Sequence, residues 1–191
     1  MSTINLSAAQ WLILRAECAG ASLDVMETYG LTLSGGRLLE RLDPPASPVA
    51  AQLDFTGEQL GGSLYLVCSR EVVERSYPLH GPDYEPVEHD AMQDWVGELS
   101  NQLLGRVKNR LVPYGVRILL NTPLALPAAC LAEHLGAEAQ GPPALALWQH
   151  FLGAGHPVWV RLVAHAFCDK ILLADPIPDS GTAEEGSLEL F

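Results

Sequence analysis

The chain has 191 residues, of which 48% are hydrophobic, and its 11 Lys and Arg against 23 Asp and Glu give a formal net charge of −12. This length suits one domain with enough apolar residues for a core, which excludes disorder of the whole chain. Nucleic acids are not expected as partners, because so acidic a chain lacks the Lys and Arg that bind phosphate backbones.

The N-terminal segment lacks the features of a targeting signal. Residues 1–21 contain no basic region, and the apolar stretch Trp11–Leu14 is closed by Arg15 and Glu17. No apolar run reaches the roughly 18–20 residues that a membrane-spanning helix needs. The four cysteines lie far apart without a C-x-x-C pair, which predicts buried thiols in a reducing compartment. We therefore expect a cytoplasmic protein without membrane insertion.

The first part of the chain predicts a helix followed by a strand and a hairpin. Two glycine pairs, Gly35-Gly36 and Gly61-Gly62, are interpreted as turns rather than as phosphate-binding loops. The predicted elements are a helix over Ser7–Met26 with Ser7 as its N-cap, a strand over Arg37–Leu42, hairpin strands Val49–Phe55 and Ser63–Cys68, and a short helix Arg70–Ser76.

A polar loop, Pro78–Glu88, separates these elements from a second series. Its acidic and histidine side chains lack the spacing of metal ligands, so no metal site is predicted. Asp90 and Gln93 form a capping-box-like pair at the start of the next helix. The predicted elements are a helix over Ala91–Leu111, a strand Val116–Leu120, a short helix Ala128–Leu135, hairpin strands Ala144–Phe151 and Pro157–Ala164, and a last strand Lys170–Leu173.

The order helix, strand, hairpin occurs twice, over residues 7–68 and 91–164. It predicts an α+β fold in which a β-sheet packs against two long helices, with an internal duplication of one αβββ unit. The alternative is that any α+β chain can be divided in this way, since the halves share little residue identity. Residues 1–174 form the predicted single domain, and residues 175–191 form an acidic flexible tail.

The helix predicted over Ala91–Leu111 has two distinct faces. At about 100° per residue, five apolar side chains gather on one side: Met92, Val96, Leu99, Leu103 and Val107. The opposite side carries a mostly polar stripe: Asp94, Glu98, Asn101, Gly105 and Lys108. A glycine inside a helix costs about 1 kcal/mol relative to alanine. A face that another backbone or protein approaches closely gives a reason for this cost.

Glu98 and Asn101 project side by side because they are three residues apart on a helix. A carboxamide is a poor general base, but it can hold a water molecule in line for attack. The neighbouring carboxylate can pair with a lysine on a partner. On spacing alone, an ordinary charged helix face is the favoured interpretation.

The helix motif and the segment after it resemble the chemotaxis phosphatases CheX and CheC and their flagellar-switch relative FliY. In that family a Glu-x-x-Asn pair on a helix, followed further along the chain by a proline, marks the active site; here these are Glu98, Asn101 and Pro123. Asp94 matches the acidic position four residues ahead of the glutamate. The upstream hairpin is also similar to the family's sheet, so the resemblance covers most of residues 7–173.

The resemblance implies a CheC/CheX-like fold and a phosphatase that removes the phosphoryl group from the phosphoaspartate of a CheY-like response regulator. Asn101 would orient the attacking water, and Glu98 would pair with the regulator's lysine. Asp94, Gly105 and Lys108 would contact the regulator, with Gly105 permitting close docking. The regulator would supply Mg²⁺, so this chain needs no cofactor of its own.

The first helix departs from two-site members of the family. It offers Glu17-Cys-Ala-Gly20, without an asparagine. One site per chain is the CheX-like arrangement, and it implies a homodimer. The alternative function is a non-catalytic scaffold or flagellar-switch adaptor that binds a response regulator.

Overall fold

The computed structural model describes residues 5–39, 42, 46–78, 87–127, 131, 148–168 and 171. Several predicted features therefore lie outside the described residues: most of the loop Pro78–Glu88, the helix Ala128–Leu135 except Leu131, the first residues of the hairpin strand Ala144–Phe151, the strand Lys170–Leu173 except Ile171, and the tail 175–191.

The described residues form an α+β fold, as predicted. The helices are α1 (Ala8–Thr28), α2 (Arg70–Ser76) and α3 (His89–Leu111), and the strands are β1 (Leu33–Leu39), β2 (Pro48–Thr56), β3 (Leu60–Ser69), β4 (Leu119–Leu120), β5 (Leu124–Leu126), β6 (Trp148–Gly153) and β7 (His156–Ala166). The seven strands make one sheet in the order β1-β6-β7-β3-β2-β4, with β5 also paired to β2. All described pairs are antiparallel.

Both faces of the sheet carry buried side chains, and consecutive residues of its central strands point to alternate faces. On β3, Leu64 and Leu66 belong to the large core under α1 and α3. Tyr65 and Val67 belong to a smaller cluster on the opposite face, together with Trp159. The two long helices therefore cover one face of the sheet, and α3 turns its other side outward.

The start of α1 confirms its predicted N-cap. The Ser7 hydroxyl accepts from the Gln10 backbone N–H, and the Gln10 side chain accepts from the Ser7 N–H at 2.7 Å. The helix continues two residues beyond the predicted end at Met26. A capping box satisfies two backbone donors at once, which fixes the point where the helix begins.

The glycine pairs lie within strands, so their interpretation as turns is wrong. Gly35 and Gly36 sit in β1, which begins at Leu33 rather than at Arg37 and has a register irregularity between Ser34 and Arg37. Gly61 and Gly62 are part of β3. A Cβ on Gly62 would lie 2.0 Å from the backbone oxygen of Val163 in β7, so this glycine permits close strand contact.

Two boundaries after residue 87 also differ from the prediction. The helix α3 begins at His89, and its cap residue is Glu88, which makes no side-chain capping bond; Asp90 lies inside the first turn. The predicted strand Val116–Leu120 is reduced to β4, its last two residues. Val116 and Ile118 are nevertheless buried in the core, so their apolar character reflects burial without strand pairing.

Candidate functional site

The two faces of α3 are as the sequence predicts. The five apolar residues of the inward face are fully buried or nearly so: Met92, Val96, Leu99, Leu103 and Val107. On the other face, Asp94, Glu98 and Asn101 are exposed, whereas Gly105 and Lys108 are half-buried. Packing of the apolar face against the sheet therefore holds the polar stripe toward the outside.

Glu98 is held by a neighbour that the sequence prediction did not include. The Gln102 side-chain Nε2 donates to Glu98 Oε1 at 2.9 Å, one helical turn away. The spacing of four residues could have indicated this pair. The contact fixes the direction of the Glu98 carboxylate while leaving it at the surface.

Asn101 presents a carboxamide that the other described residues do not use. Its side chain is exposed, and within the described residues no hydrogen bond occupies its amide donors or its oxygen. The preceding residue is fixed instead, since the buried Ser100 hydroxyl donates to the Val96 carbonyl at 2.8 Å. Asn101 is thus an anchored position with an available amide.

Gly105 is not required by contacts within the described chain. A Cβ added there would have no heavy atom within 4 Å outside its own helix. The glycine therefore carries its cost in helix stability, about 1 kcal/mol relative to alanine, without an internal packing reason.

The segment after β4 reaches α3 next to Glu98. The backbone N–H of Asn121 donates to the Asp54 carbonyl at 2.9 Å, which holds the connection between β4 and β5 on the edge of β2. Pro123 then lies against Gly97: a Cβ added to that buried glycine would be 3.5 Å from Pro123 Cβ. The structure thus brings the downstream proline to the residue before Glu98. At that distance a Cβ would make an ordinary van der Waals contact, so the approach of Pro123 does not itself require a glycine.

At the N-terminal end of α3, Trp95 is held by aromatic neighbours. Its indole Nε1 donates to the Ser76 hydroxyl at 3.0 Å. Edge-on contacts join its ring to Tyr29 and Tyr77, with ring centroids 4.8 and 5.9 Å away. These contacts fix the helix beside the exposed Asp94.

On α1, the segment Glu17–Gly20 packs against α3. Arg110 Nη1 lies 3.2 Å from Glu17 Oε2, Arg110 Nη2 lies 2.7 Å from Asp24 Oδ2, and the Tyr114 hydroxyl donates to Glu17 Oε1 at 3.1 Å. A Cβ on Gly20 would be 2.8 Å from Arg110 Nη1. These residues therefore join the two helices.

The buried cysteines are poor candidates for nucleophiles. Burial raises the pKa of Cys18 and of Cys68 to about 12, and the reactive form of cysteine is the thiolate. Among the described residues, no group of three or more His, Cys, Asp and Glu could hold a metal ion. None of the described helices is long and apolar enough to cross a membrane.

One protein-family model matches the region that contains α3. The family model described as "Chemotaxis phosphatase CheX" matches residues 49–140, which are 92 of the 191 residues. The chain is CheX-like. The matched range includes β2, β3, α2, α3, β4 and β5, and therefore every residue of the polar stripe on α3.

Solved structures agree with this CheX-like fold. The chemotaxis protein CheX from Vibrio vulnificus has 14% sequence identity and a TM-score of 0.60, over 79% of this chain and 95% of that one. A CheC-like superfamily protein from Shewanella sp. PV-4 has 16% identity and a TM-score of 0.60, over 83% and 99%. At these identities, the likeness shows the fold alone. No curated protein matches in sequence.

A further similar chain comes from the CheX-CheY-BeF3-Mg²⁺ complex of Borrelia burgdorferi. It has 14% identity and a TM-score of 0.55, over 78% of this chain and 96% of that one. The predicted CheC/CheX-like fold is thus confirmed, whereas the internal duplication and the roles of the individual site residues stay predictions.

Proposed function

We propose that this CheX-like chain is a phosphatase that removes the phosphoryl group from the phosphoaspartate of a CheY-like response regulator. The observation that carries the proposal is the exposed Glu98 and Asn101 pair on α3, in which the Asn101 carboxamide makes no hydrogen bond to the described residues. The CheX match over residues 49–140 and the similarity to a chain of a CheX-CheY complex support a CheY-like partner.

In the proposed reaction, Asn101 enters the regulator's active site and orients a water molecule. The water oxygen attacks phosphorus, the bond from phosphorus to the aspartate oxygen breaks, and inorganic phosphate leaves with the carboxylate restored. Glu98, directed by Gln102, pairs with the regulator's lysine. The regulator's own Mg²⁺ stabilises the charge on the transferring phosphoryl group.

The partner-binding surface of this proposal is the remainder of the polar stripe. Asp94 and Lys108 lie on either side of the pair and supply charges of opposite sign. Gly105 lets the regulator's backbone approach, since a Cβ at this position would meet no described residue outside the helix within 4 Å. We further propose that the chain acts as a homodimer with one site in each copy.

The test compares the loss of aspartyl phosphate from a CheY-like regulator with and without this chain. We expect the chain to accelerate the loss, and Asn101→Ala to reduce the acceleration by about a hundredfold or more because the water is no longer positioned. Asn109→Ala is the matched control, since Asn109 is an exposed asparagine of the same helix. Binding of the regulator treated with beryllofluoride should survive in Asn101→Ala.

The second candidate function is a non-catalytic scaffold or flagellar-switch adaptor. It has the same partner, so it predicts binding of the regulator with equal rates of phosphate loss in the presence and absence of this chain. That outcome, across a panel of regulators from the same organism, would reject the phosphatase. The available carboxamide of Asn101 favours the enzyme, because an adaptor does not need a group that positions water.

A further inference from the structure

A mostly apolar groove runs between α1 and the β1–β6 edge of the sheet, on the opposite side of α1 from α3. Its volume is about 350 Å³. Leu12 and Ala16 of α1, Leu38 of β1 and Phe151 of β6 contribute to its walls. Leu12 is 60% exposed and Leu38 is 48% exposed. Because α1 also buries an apolar face in the core, it is apolar on two sides, which is typical of a helix that is covered.

Three polar side chains line the groove, Arg15, Arg37 and Gln149, and two of them are cations. Gln149, only 7% exposed, lines it and donates from Nε2 to the Arg15 carbonyl at 2.7 Å. The other side-chain atom, Gln149 Oε1, is buried without a hydrogen-bond partner among the described residues. The Arg15 side chain also has no hydrogen bond or ion pair within that part of the chain. The groove therefore suits a segment with apolar side chains and a carboxylate.

We propose that the groove binds a segment of the same chain, Leu188-Glu189-Leu190-Phe191. In an extended segment Leu188 and Leu190 point to the same side, where the apolar walls take them. The Glu189 carboxylate pairs with Arg15. This assignment is independent of the proposed phosphatase activity.

Ile171 lies close to the groove, so the chain after it has only a short distance to cover. Ile171 is buried, and its carbonyl accepts from Gln10 Nε2 at 2.7 Å, so the chain leaves the core beside the first turns of α1. The groove begins two residues further along the same helix, at Leu12. The 17 residues from 172 to 188 can span up to roughly 56 Å. The helix from Gln10 to Ala19 is only about 14 Å long.

Charge also favours this occupant. Residues 172–191 contain five acidic residues and no Lys or Arg, and the Arg15 side chain is a cation at the groove with no partner among the described residues. Attachment within one chain gives a local concentration in the millimolar range. A contact of a few side chains is then sufficient for substantial occupancy.

The test places the photo-crosslinker p-benzoylphenylalanine at position 190 of the full chain and identifies the crosslinked peptides by mass spectrometry. We expect crosslinks to residues 12–19 of α1 and 36–38 of β1. Arg15→Glu should lower their yield about two- to fivefold, and adding Glu189→Arg should restore it. The control is Arg117→Glu, since Arg117 is exposed and lies outside the groove.

A mixture of ¹⁴N- and ¹⁵N-labelled chains separates the two possible sources of the segment. Crosslinks only between peptides of the same label support the proposal. Crosslinks between labels would overturn it in favour of a second copy of the chain as occupant. Crosslinks spread evenly over the surface, or a yield equal in Arg15→Glu and Arg117→Glu, would also overturn it.

Discussion

Glu98 and Asn101 are neighbours on α3, but their side chains are held differently. Glu98 already has a partner in Gln102, whereas the Asn101 carboxamide makes no hydrogen bond to the described residues. In the proposed complex, Glu98 exchanges or shares an exposed hydrogen bond that contributes only about 0.2–0.5 kcal/mol. Asn101 gives up no hydrogen bond to another described residue. Binding of the partner therefore requires little rearrangement on this side.

Removing the Glu98 carboxylate should weaken binding more than it affects hydrolysis. For Glu98→Ala we expect the dissociation constant for the beryllofluoride-treated regulator to rise about tenfold, through loss of the pair with the regulator's lysine. Fluorescence anisotropy with a labelled regulator measures this change. The matched control is Glu27→Ala, an exposed glutamate near the end of α1. An unchanged affinity in Glu98→Ala would contradict the assigned pair.

His150 makes the fold sensitive to acid. Burial and the neighbouring Arg37, whose Nε donates to His150 Nδ1 at 3.2 Å, lower the pKa of His150 below its ordinary value of 6.5. The unfolded chain then takes up a proton at a higher pH than the folded chain does. The contribution of the neutral His150 ring to the free energy of unfolding is fully present above pH 6.5. It is lost as the pH falls below 6.5.

His150→Gln should remove this part of the pH dependence while keeping an acceptor for Arg37. The comparison uses pH 7.5 and pH 5.5, which lie about one unit above and below 6.5. We expect the free energy of unfolding to differ less between these two pH values in the variant than in the unmodified chain. Urea unfolding at each pH measures it. The same substitution at His89, which is exposed, serves as the control. Equal pH dependence in His150→Gln and the unmodified chain would contradict this role.

At the scale of the element, α3 combines a strongly apolar inner face with a glycine on its outer face. Gly105→Ala should raise the free energy of unfolding by about 1 kcal/mol, because alanine is the better helix former and its Cβ meets no neighbour within 4 Å outside the helix. The same variant should bind the regulator more weakly, because the added methyl group keeps the regulator's backbone farther from the helix. Thermal unfolding and anisotropy measure the two effects. A stabilised variant with undiminished binding would show that Gly105 has no role in docking.

Elements with a regular apolar pattern were predictable from the sequence, and elements set by distant contacts were not. The helical spacing of the apolar residues in α3 correctly predicts which face is buried. The predicted bounds of α2, Arg70–Ser76, are the observed ones. Gly62 looked like a turn residue because its reason for being glycine, the approach of Val163 in β7, lies about a hundred residues away in sequence. The three residues of β5 carried no signal of their own, since pairing with β2 defines that strand.

For the candidate site, the sequence supplied the residues of α3 but not their surroundings. The positions of Asp94, Glu98 and Asn101 on the outward face followed from helical spacing. That Pro123 would lie against Gly97 depended on how β4 and β5 attach to the edge of β2. A tertiary contact of this kind has no local period, so the sequence alone could not predict it.

At the scale of the whole molecule, the net charge of −12 works against compactness. Like charges repel more strongly in the folded chain, where they are closer together than in the unfolded chain. Raising NaCl from about 0.01 M to about 0.15 M shortens the screening length from about 30 Å to about 8 Å. We expect the urea midpoint to rise over this range. A midpoint that falls would mean that attractive pairs such as those of Arg110 outweigh the general repulsion.

The packing of Arg110 over Gly20 also affects how α1 could acquire a Glu-x-x-Asn pair of its own. An asparagine at position 20, which would give α1 a Glu-x-x-Asn sequence of its own, places its Cβ 2.8 Å from Arg110 Nη1. Displacing that guanidinium breaks its contacts with Glu17 and Asp24. A second pair on α1 is therefore coupled to the contact between the two helices, because it requires the flexible Arg110 side chain to move away from its partly exposed partners.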